Sequence, residues 1–517
     1  MRKAAAFFSE KVANRGGYHF YYADDLSYGR SEHAEGPTQI EVQREATPMA
    51  GMAFLEAYGA TGDALFLNAA RAAASSLVEG QLCSGGWDYI IEFDAEKRKQ
   101  YPYRIEKNCG VSKPRPTTLD DNVTQGAMRL MMRVDAALGF KDARIHESAR
   151  AALDSLLRAQ YPNGAWPQRY TEFPDPAAYP VRKAGYPADW PWKWPNKNYF
   201  NYYTFNDNSI ADAIDTMLEA ARIYKEPRYL ESARRGGDFI LLAQMPDPQP
   251  AWAQQYDLDM HPAWARQFEP PSVTGGESQA VIRMLLVLYR ETSDKKYLDP
   301  VPRALEYLER SVLPPVPNPS EARRRVGGGG PALARFYELK TNKPLYITKG
   351  TQIQAAGLGS ARIDGYELSY SDESVITHYA VIISAAGLKP LRADYERIRT
   401  AKPGAMRRPD KLHGLSPWNA SESARPQADT AKVARLISSL DPRGAWTEEG
   451  TIGKADRVVS VFAAKDMVLT VNGRPQAIKQ NDRIELFAGT LPPRAKIIRT
   501  STFAENLETL AAYVAAR

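Results

Sequence analysis

The chain has 517 residues, of which 44% are hydrophobic and 25% charged, and a formal charge of +6. That is the balance of a globular protein with one large core or two to three domains, and no apolar run approaches the roughly 18–20 residues of a membrane span. Cys83 and Cys109 exclude a cysteine-rich zinc site and leave room for one disulfide or none. No basic tract exceeds Arg323-Arg324-Arg325 and no nucleic-acid motif is present, so the positive balance fits an acidic polysaccharide as well as it fits a nucleic acid.

Met1–Glu10 reads as the start of an amphipathic helix, because Glu10 and Lys11 cut its apolar run too short for a signal segment. A helical unit then recurs. Tyr58–Ala70, Leu138–Ala149, Tyr224–Ala233 and Tyr289–Leu298 each carry a helix end, a polar turn and a second helix. These repeats are longer than the roughly 33–47 residues of common solenoids and fit a helical hairpin plus a loop. Gly-rich aromatic loops close the helices at Arg15–Tyr18, Gln81–Trp87 and Ala159–Gln168, where glycine supplies a left-handed cap.

In 208–224, Ile210, Ala213, Ile214, Met217, Leu218 and Ala221 share one face, and 123–138 and 278–289 behave alike. Residues 172–201 have no period but hold Trp190-Pro191-Trp192-Lys193-Trp194-Pro195, which marks a functional loop rather than disorder. Past about residue 345 the pattern changes. Val458–Ala463 and Met467–Val471 read as strands, Asn472-Gly473 as a hairpin turn, Ala401–Gln427 as surface loop, and Phe503–Ala516 as a closing helix. The expected division is an α-helical domain over 1–350 and a C-terminal extension over 351–517, packed on the first and carrying strands near 456–475. The hairpins close into an (α/α) toroid or stack into an open superhelix, and their periodicity does not choose.

Two Asp-Asn pairs stand where helices begin, in Leu119-Asp120-Asp121-Asn122-Val123 and Phe205-Asn206-Asp207-Asn208-Ser209. Asp or Asn before a helix is first an N-cap. Two carboxylates at equivalent corners of a repeated unit could also converge on one cation or substrate.

Several motifs in one order strengthen the second reading: Asn163-Gly164-Ala165-Trp166-Pro167-Gln168-Arg169-Tyr170, Tyr203-Thr204-Phe205-Asn206-Asp207-Asn208, Pro262–Pro271, Gly275-Gly276-Glu277-Ser278 and Gly330–Leu339. Together they resemble the family-10 pectate lyases over roughly 45–350. The resemblance implies a mainly α fold, an incomplete (α/α) toroid, and calcium-assisted β-elimination on polygalacturonate. It implies Asp207 and Asp121 as calcium ligands, with Asp120 an adjacent competitor and Glu277 a weaker third ligand. Arg266 would be the base, with Asp121 beside it in the catalytic group, and Arg335 would bind a uronate carboxylate. Trp166, Arg169, Tyr203 and Asn206 lie in the same motifs and are expected to line the substrate. The 172–201 loop is longer than the resemblance leads one to expect, and 350–517 has no clear counterpart.

The chemistry sets conditions. The uronate carboxylate must be neutralised, the C5 proton removed and O4 released. A cation held by oxygen ligands meets the first need. Arginine stays protonated at ordinary pH, so a base role needs a desolvated, strongly positive site and an alkaline optimum. The plain reading of Arg266 is a salt bridge, and that of the aromatics is packing. Two other functions compete: a glycoside hydrolase using Asp121 and Asp207, and a non-catalytic helical-repeat protein that binds glycans. The expected partner is an acidic, pectin-like polysaccharide, not a nucleic acid. The expected location is secreted or periplasmic, from the substrate class, with monomer as the default.

Overall fold

The computed structural model describes residues 1–111, 115–326, 330–349, 352–355, 359–363, 366–373, 375–376, 378–408, 429–452, 457–462, 467–471, 474–478, 483–488 and 494–517. Its helices, in chain order, are α1 (Arg2–Phe7), α2 (Thr47–Thr61), α3 (Ala64–Glu79), α4 (Ala95–Arg98), α5 (Val123–Ala137), α6 (Ala143–Ala159), α7 (Ser209–Tyr224), α8 (Pro227–Ala243), α9 (Gly275–Thr292), α10 (Val301–Arg310), α11 (Glu321–Arg325), α12 (Leu388–Thr400), α13 (Thr430–Ser438) and α14 (Thr500–Ala515). Helix outweighs strand, 45% to 14%, so the fold is mainly α.

The helices form two concentric rows. The inner row runs α14, α2, α5, α7, α9 and α12, each packed on the next. Outside it lie α1, α3, α6, α8 and α10, packed on the inner helices beside them. This is the (α/α) toroid. Inner helices are apolar over most of their circumference, as a helix buried on both sides requires. In α7 the run from Ser209 to Ala220 is buried throughout. The outer α6 keeps a single apolar stripe, starts at Asp142, whose side chain accepts from the Ile145 amide, and buries Ile145, Ala149, Ala152, Leu153 and Leu156.

One device joins rows. After an outer helix the chain makes a tight turn, with glycine before Trp87, Trp166 and Trp446 and proline-rich before Trp252, and buries a tryptophan under that helix's last carbonyls. Trp87 Nε1 donates to Leu77 O at 2.8 Å, Trp166 to Leu156 O at 2.8 Å, Trp252 to Ile240 O at 2.9 Å and Trp446 to Leu436 O at 2.8 Å. Gly164 has φ +92°, and a Cβ there would sit 1.9 Å from Arg235 O in α8. Only glycine tolerates both the conformation and the approach.

The fourth tryptophan places α13 and α14 in the same pattern. α14 packs along α2, and Phe503 stacks on Phe8 with ring centroids 3.8 Å apart. The strand Arg494–Arg499 pairs with both Tyr21–Ala23 and Thr447–Thr451. The expected strands appear as Arg457–Phe462 and Met467–Val471, and the closing helix as α14. Ala463, the Asn472-Gly473 turn and residues 409–427 of the expected surface loop lie outside the described residues. Arg457–Phe462 joins Arg483–Ala488, Gly359–Ile363 and Gln352–Ala355 in a four-stranded sheet.

Residues 172–201 form the long loop read from the sequence, with one short 3-10 turn at Pro176–Ala178. Cys83 and Cys109 are joined in a disulfide. Among the described residues, no helix is long and apolar enough to cross a membrane.

Candidate active site

Short strands at Thr117–Thr118, Tyr203–Thr204 and Val273–Thr274 deliver the N-terminal ends of α5, α7 and α9 to one groove. Before α5 and α7 lie two matching 3-10 turns, Asp120–Asn122 and Asn206–Asn208, packed on each other. Asp121 and Asp207 share a left-handed backbone, φ 49° and 48°, and Asn122 and Asn208 follow at 57° and 60°. Asp and Asn tolerate this region better than most residues.

The turn geometry decides the N-cap question. Neither turn gives its helix a side-chain cap. The carboxylates instead project into the groove, where oxygens of Asp120, Asp121 and Asp207 all lie within 4.8 Å of one another. Asp120 Oδ1 is buried with no hydrogen-bond partner. Tyr89 Oη lies 3.0 Å from Asp121 Oδ2 and 3.3 Å from Asp120 Oδ2, so its single proton serves both.

Crowding shows in the acidities. Withdrawal from water and then the Asp120 charge push Asp121 up to about 6. Withdrawal from water, followed by Asp120 and Asp121, pushes Asp207 up to about 7, against the pull of Arg335 and Arg266. Asp207 still meets solvent at the groove surface. The neighbouring carboxylates are therefore the cause that a bound cation would relieve. An all-oxygen donor set with an unpartnered buried carboxylate oxygen suits a hard divalent ion such as calcium.

Three arginines surround the cluster. Arg169 Nη2 donates to Asp120 Oδ2 at 3.1 Å, and its guanidinium lies over Phe200. Arg335 Nη2 donates to Glu277 Oε1 at 2.6 Å and Asn206 Oδ1 at 3.0 Å, with its guanidinium carbon 4.0 Å from the centre of the Tyr379 ring. Arg266 forms a two-point pair with Glu269, Nε to Oε2 at 2.9 Å and Nη2 to Oε1 at 2.6 Å. Although burial pulls the other way, the hydrogen bonds and charge of Glu269 hold the Arg266 guanidinium well above its ordinary range.

The structure relocates several expected site residues. Trp166 is fully enclosed beneath its helix and cannot stack on a sugar. Tyr203 is likewise buried, between Tyr161 and Phe239. Both take the packing role: the turn at Gly164 points Trp166 inward, and the short strand Tyr203–Thr204 holds Tyr203 among the buried aromatics. Glu277 turns to Arg335 and stands outside the three-carboxylate cluster. Asn206 is buried and acts as a bridge, donating to Asp207 Oδ2 at 2.7 Å while accepting from Arg335 and from Tyr379 at 3.1 Å. Asp121, Asp207, Arg266, Arg335 and Arg169 do come together around one groove.

Three residues went unread in the sequence. Tyr89 and Tyr379 join the carboxylates and arginines from loops with no pattern of their own. Glu269, fully buried, accepts from Arg266 and from Tyr379 at 2.9 Å. Its spacing of three from Arg266 was the only available signal.

A family model described as pectic acid lyase matches residues 98–376, more than half of the chain, and spans both turns and all three arginines. The chain belongs to the pectic acid lyase family. Among solved structures, this family member is similar to the family 10 polysaccharide lyase from Cellvibrio cellulosa, at 22% identity over 53% of this chain and 78% of that one, with a TM-score of 0.38. A variant of that lyase in complex with trigalacturonic acid matches at 20% identity over 57% and 85%, again with a TM-score of 0.38. The cellobiose 2-epimerase from Spirochaeta thermophila matches at 13% identity over 66% and 71%, with a TM-score of 0.39. No curated protein matches the chain.

Proposed function

We propose that this member of the pectic acid lyase family cleaves polygalacturonate, or a closely related polyuronide, by calcium-assisted β-elimination. The observation that carries the reading is the convergence of Asp120, Asp121 and Asp207 oxygens within 4.8 Å, ringed by Arg169, Arg266 and Arg335. Asp121 and Asp207 would hold the cation, with Asp120 Oδ1 available as a third oxygen. When bound, calcium supplies positive charge that acidifies the C5 proton of a uronate.

The chain's own groups do the rest. Arg335, stacked on Tyr379 and braced by Glu277 and Asn206, presents remaining N–H donors to a substrate carboxylate. Arg266 in its neutral form takes the C5 proton, the C5–H electron pair forms the C4–C5 double bond, and the C4–O4 bond breaks with its pair leaving on O4, which takes up a proton to become the hydroxyl of the departing sugar. Glu269 works against this step by holding the guanidinium proton, while Arg169 and Arg335 add the positive field that favours its loss. Activity should therefore rise toward alkaline pH.

The hydrolase alternative is disfavoured by the family match, a pectic acid lyase model over residues 98–376. The Cys83–Cys109 disulfide and a polymeric substrate both support a secreted or periplasmic setting.

Purified protein incubated with polygalacturonate, alginate and glucuronan, with and without chelator, tests the proposal. A new ultraviolet absorbance from the conjugated double bond is expected, abolished by chelator and by Asp207→Ala. Rising reducing ends without absorbance would sink it.

A further inference from the structure

The 172–201 loop does more than cross the surface. It is pinned to the segment that carries Arg266 by two reciprocal bonds: Trp194 Nε1 donates to Ala265 O at 2.7 Å, and Trp264 Nε1 donates to Pro191 O at 2.7 Å. Between loop and segment lies a chamber of about 470 Å³, lined by Trp192, Lys193, Trp194, Trp264 and Gln267, and closed by the strand at Tyr366–Leu368. That volume is within the range of small-molecule sites, about 300–1,000 Å³.

The lining has a definite chemistry. The N–H groups of Trp194 and Trp264 are already spent on backbone carbonyls, so Trp194 offers ring surface while the buried Trp264 forms the wall behind it. Trp192 is 42% exposed and lies beside Trp190 and Tyr370, with centroids 5.2 and 5.7 Å away. An exposed tryptophan held in place on both sides is unusual on a surface that binds nothing. Lys193 provides one positive charge, Gln267 an amide and Glu367 an acceptor, so the polar lining is nearly balanced. Aromatic faces with scattered hydrogen-bonding groups match a pyranose ring, whose C–H face is apolar and whose edge carries hydroxyls.

We infer that this chamber is a remote saccharide subsite, which holds a sugar residue of the same polysaccharide chain beyond the cleavage point. Trp264 and Gln267 lie on either side of Arg266 in sequence, so the chamber and the candidate site share one segment of chain. The inference rests on the proposed lyase function. Because the lining charge is balanced, ring contact carries the recognition, and added salt weakens it little.

Trp192→Ala and Trp192→Phe in the full chain test it, with trigalacturonate and heptagalacturonate as probes. Trp192→Ala should raise KM for the heptamer roughly tenfold while leaving kcat, and the trimer KM, within about twofold. Trp192→Phe keeps a ring face and should recover most of the loss. Calorimetric binding of the heptamer under chelator, where no turnover occurs, reads the subsite separately. Binding that depends on Trp192 in a protein that cleaves no uronan would remove the lyase function and leave the subsite standing. Equal losses for both lengths, no loss at all, or no heptamer binding to the unaltered protein would overturn the subsite.

Discussion

Arg266 and Glu269 are joined at two points, three residues apart, with the Arg266 amide also donating to Glu269 Oε2 at 2.9 Å. The carboxylate is buried and its own acidity is increased, despite burial, by these bonds. Removing its charge lowers the Arg266 pKa. If Arg266 is the base, Glu269→Gln should shift the alkaline rise of kcat to lower pH. A merely positioning role predicts a lower kcat at every pH with no shift. Arg266→Lys should cost about 10²–10⁴-fold in kcat, with calcium affinity unchanged by calorimetry.

Asp207 links the site to stability. Its folded value of about 7 exceeds the ordinary 3.8, so between those values the folded state keeps a proton that the unfolded state has lost. Without calcium, that contribution to stability falls as pH rises from about 4 through 7. Asp207→Asn should therefore raise Tm at pH 8 under chelator and leave it unchanged below pH 4. With calcium at about 100 times its Kd, the unaltered protein should gain about 2.7 kcal/mol, and the variant should lose that gain. Calcium titrations followed by thermal melts at pH 5 and 8 check both signs.

Trp166 separates packing from binding. Its ring is enclosed against Gly236 and its N–H is bonded to Leu156 O. Trp166→Ala should destabilise the protein by about 3–5 kcal/mol in denaturant melts. KM of the fraction that remains folded should stay near its original value. A raised KM at unchanged stability would return this residue to the substrate groove.

The two turns depend on a buried ion pair behind them. Arg129 of α5 is fully buried and donates to Asp215 at 2.9 Å and Glu219 at 2.8 Å, both in α7. Loss of one partner strands the others in a dry interior. Arg129→Ala should cost about 3–5 kcal/mol and weaken calcium binding together with stability, since it frees α5 to move against α7.

Helical periodicity and the two Asp-Asn turns were legible because each rests on short-range rules: apolar spacing, and the left-handed tolerance of Asp and Asn. The direction of the carboxylates was not, because capping and ligation use the same residues and only the turn geometry separates them. Trp166 was misread as groove lining for a similar reason. A tryptophan after glycine looks alike whether it folds inward or outward. Comparison with Trp87 and Trp446, which also follow glycine, reveals a repeated structural part. Tyr89 and Tyr379 reach the site through long-range packing, for which no local pattern exists.

The pairing of Thr447–Thr451 with Arg494–Arg499 has a consequence for how such a protein diversifies. Thr451 stands opposite Arg494, so everything between them leaves and re-enters the last hairpin at one point. Within that stretch Arg483–Ala488 also pairs with Gly359–Ile363, so it is tied to a second hairpin as well as to its two-stranded stem. Related chains can therefore vary there while α13 and α14 keep their spacing, provided that the register with Gly359–Ile363 is kept.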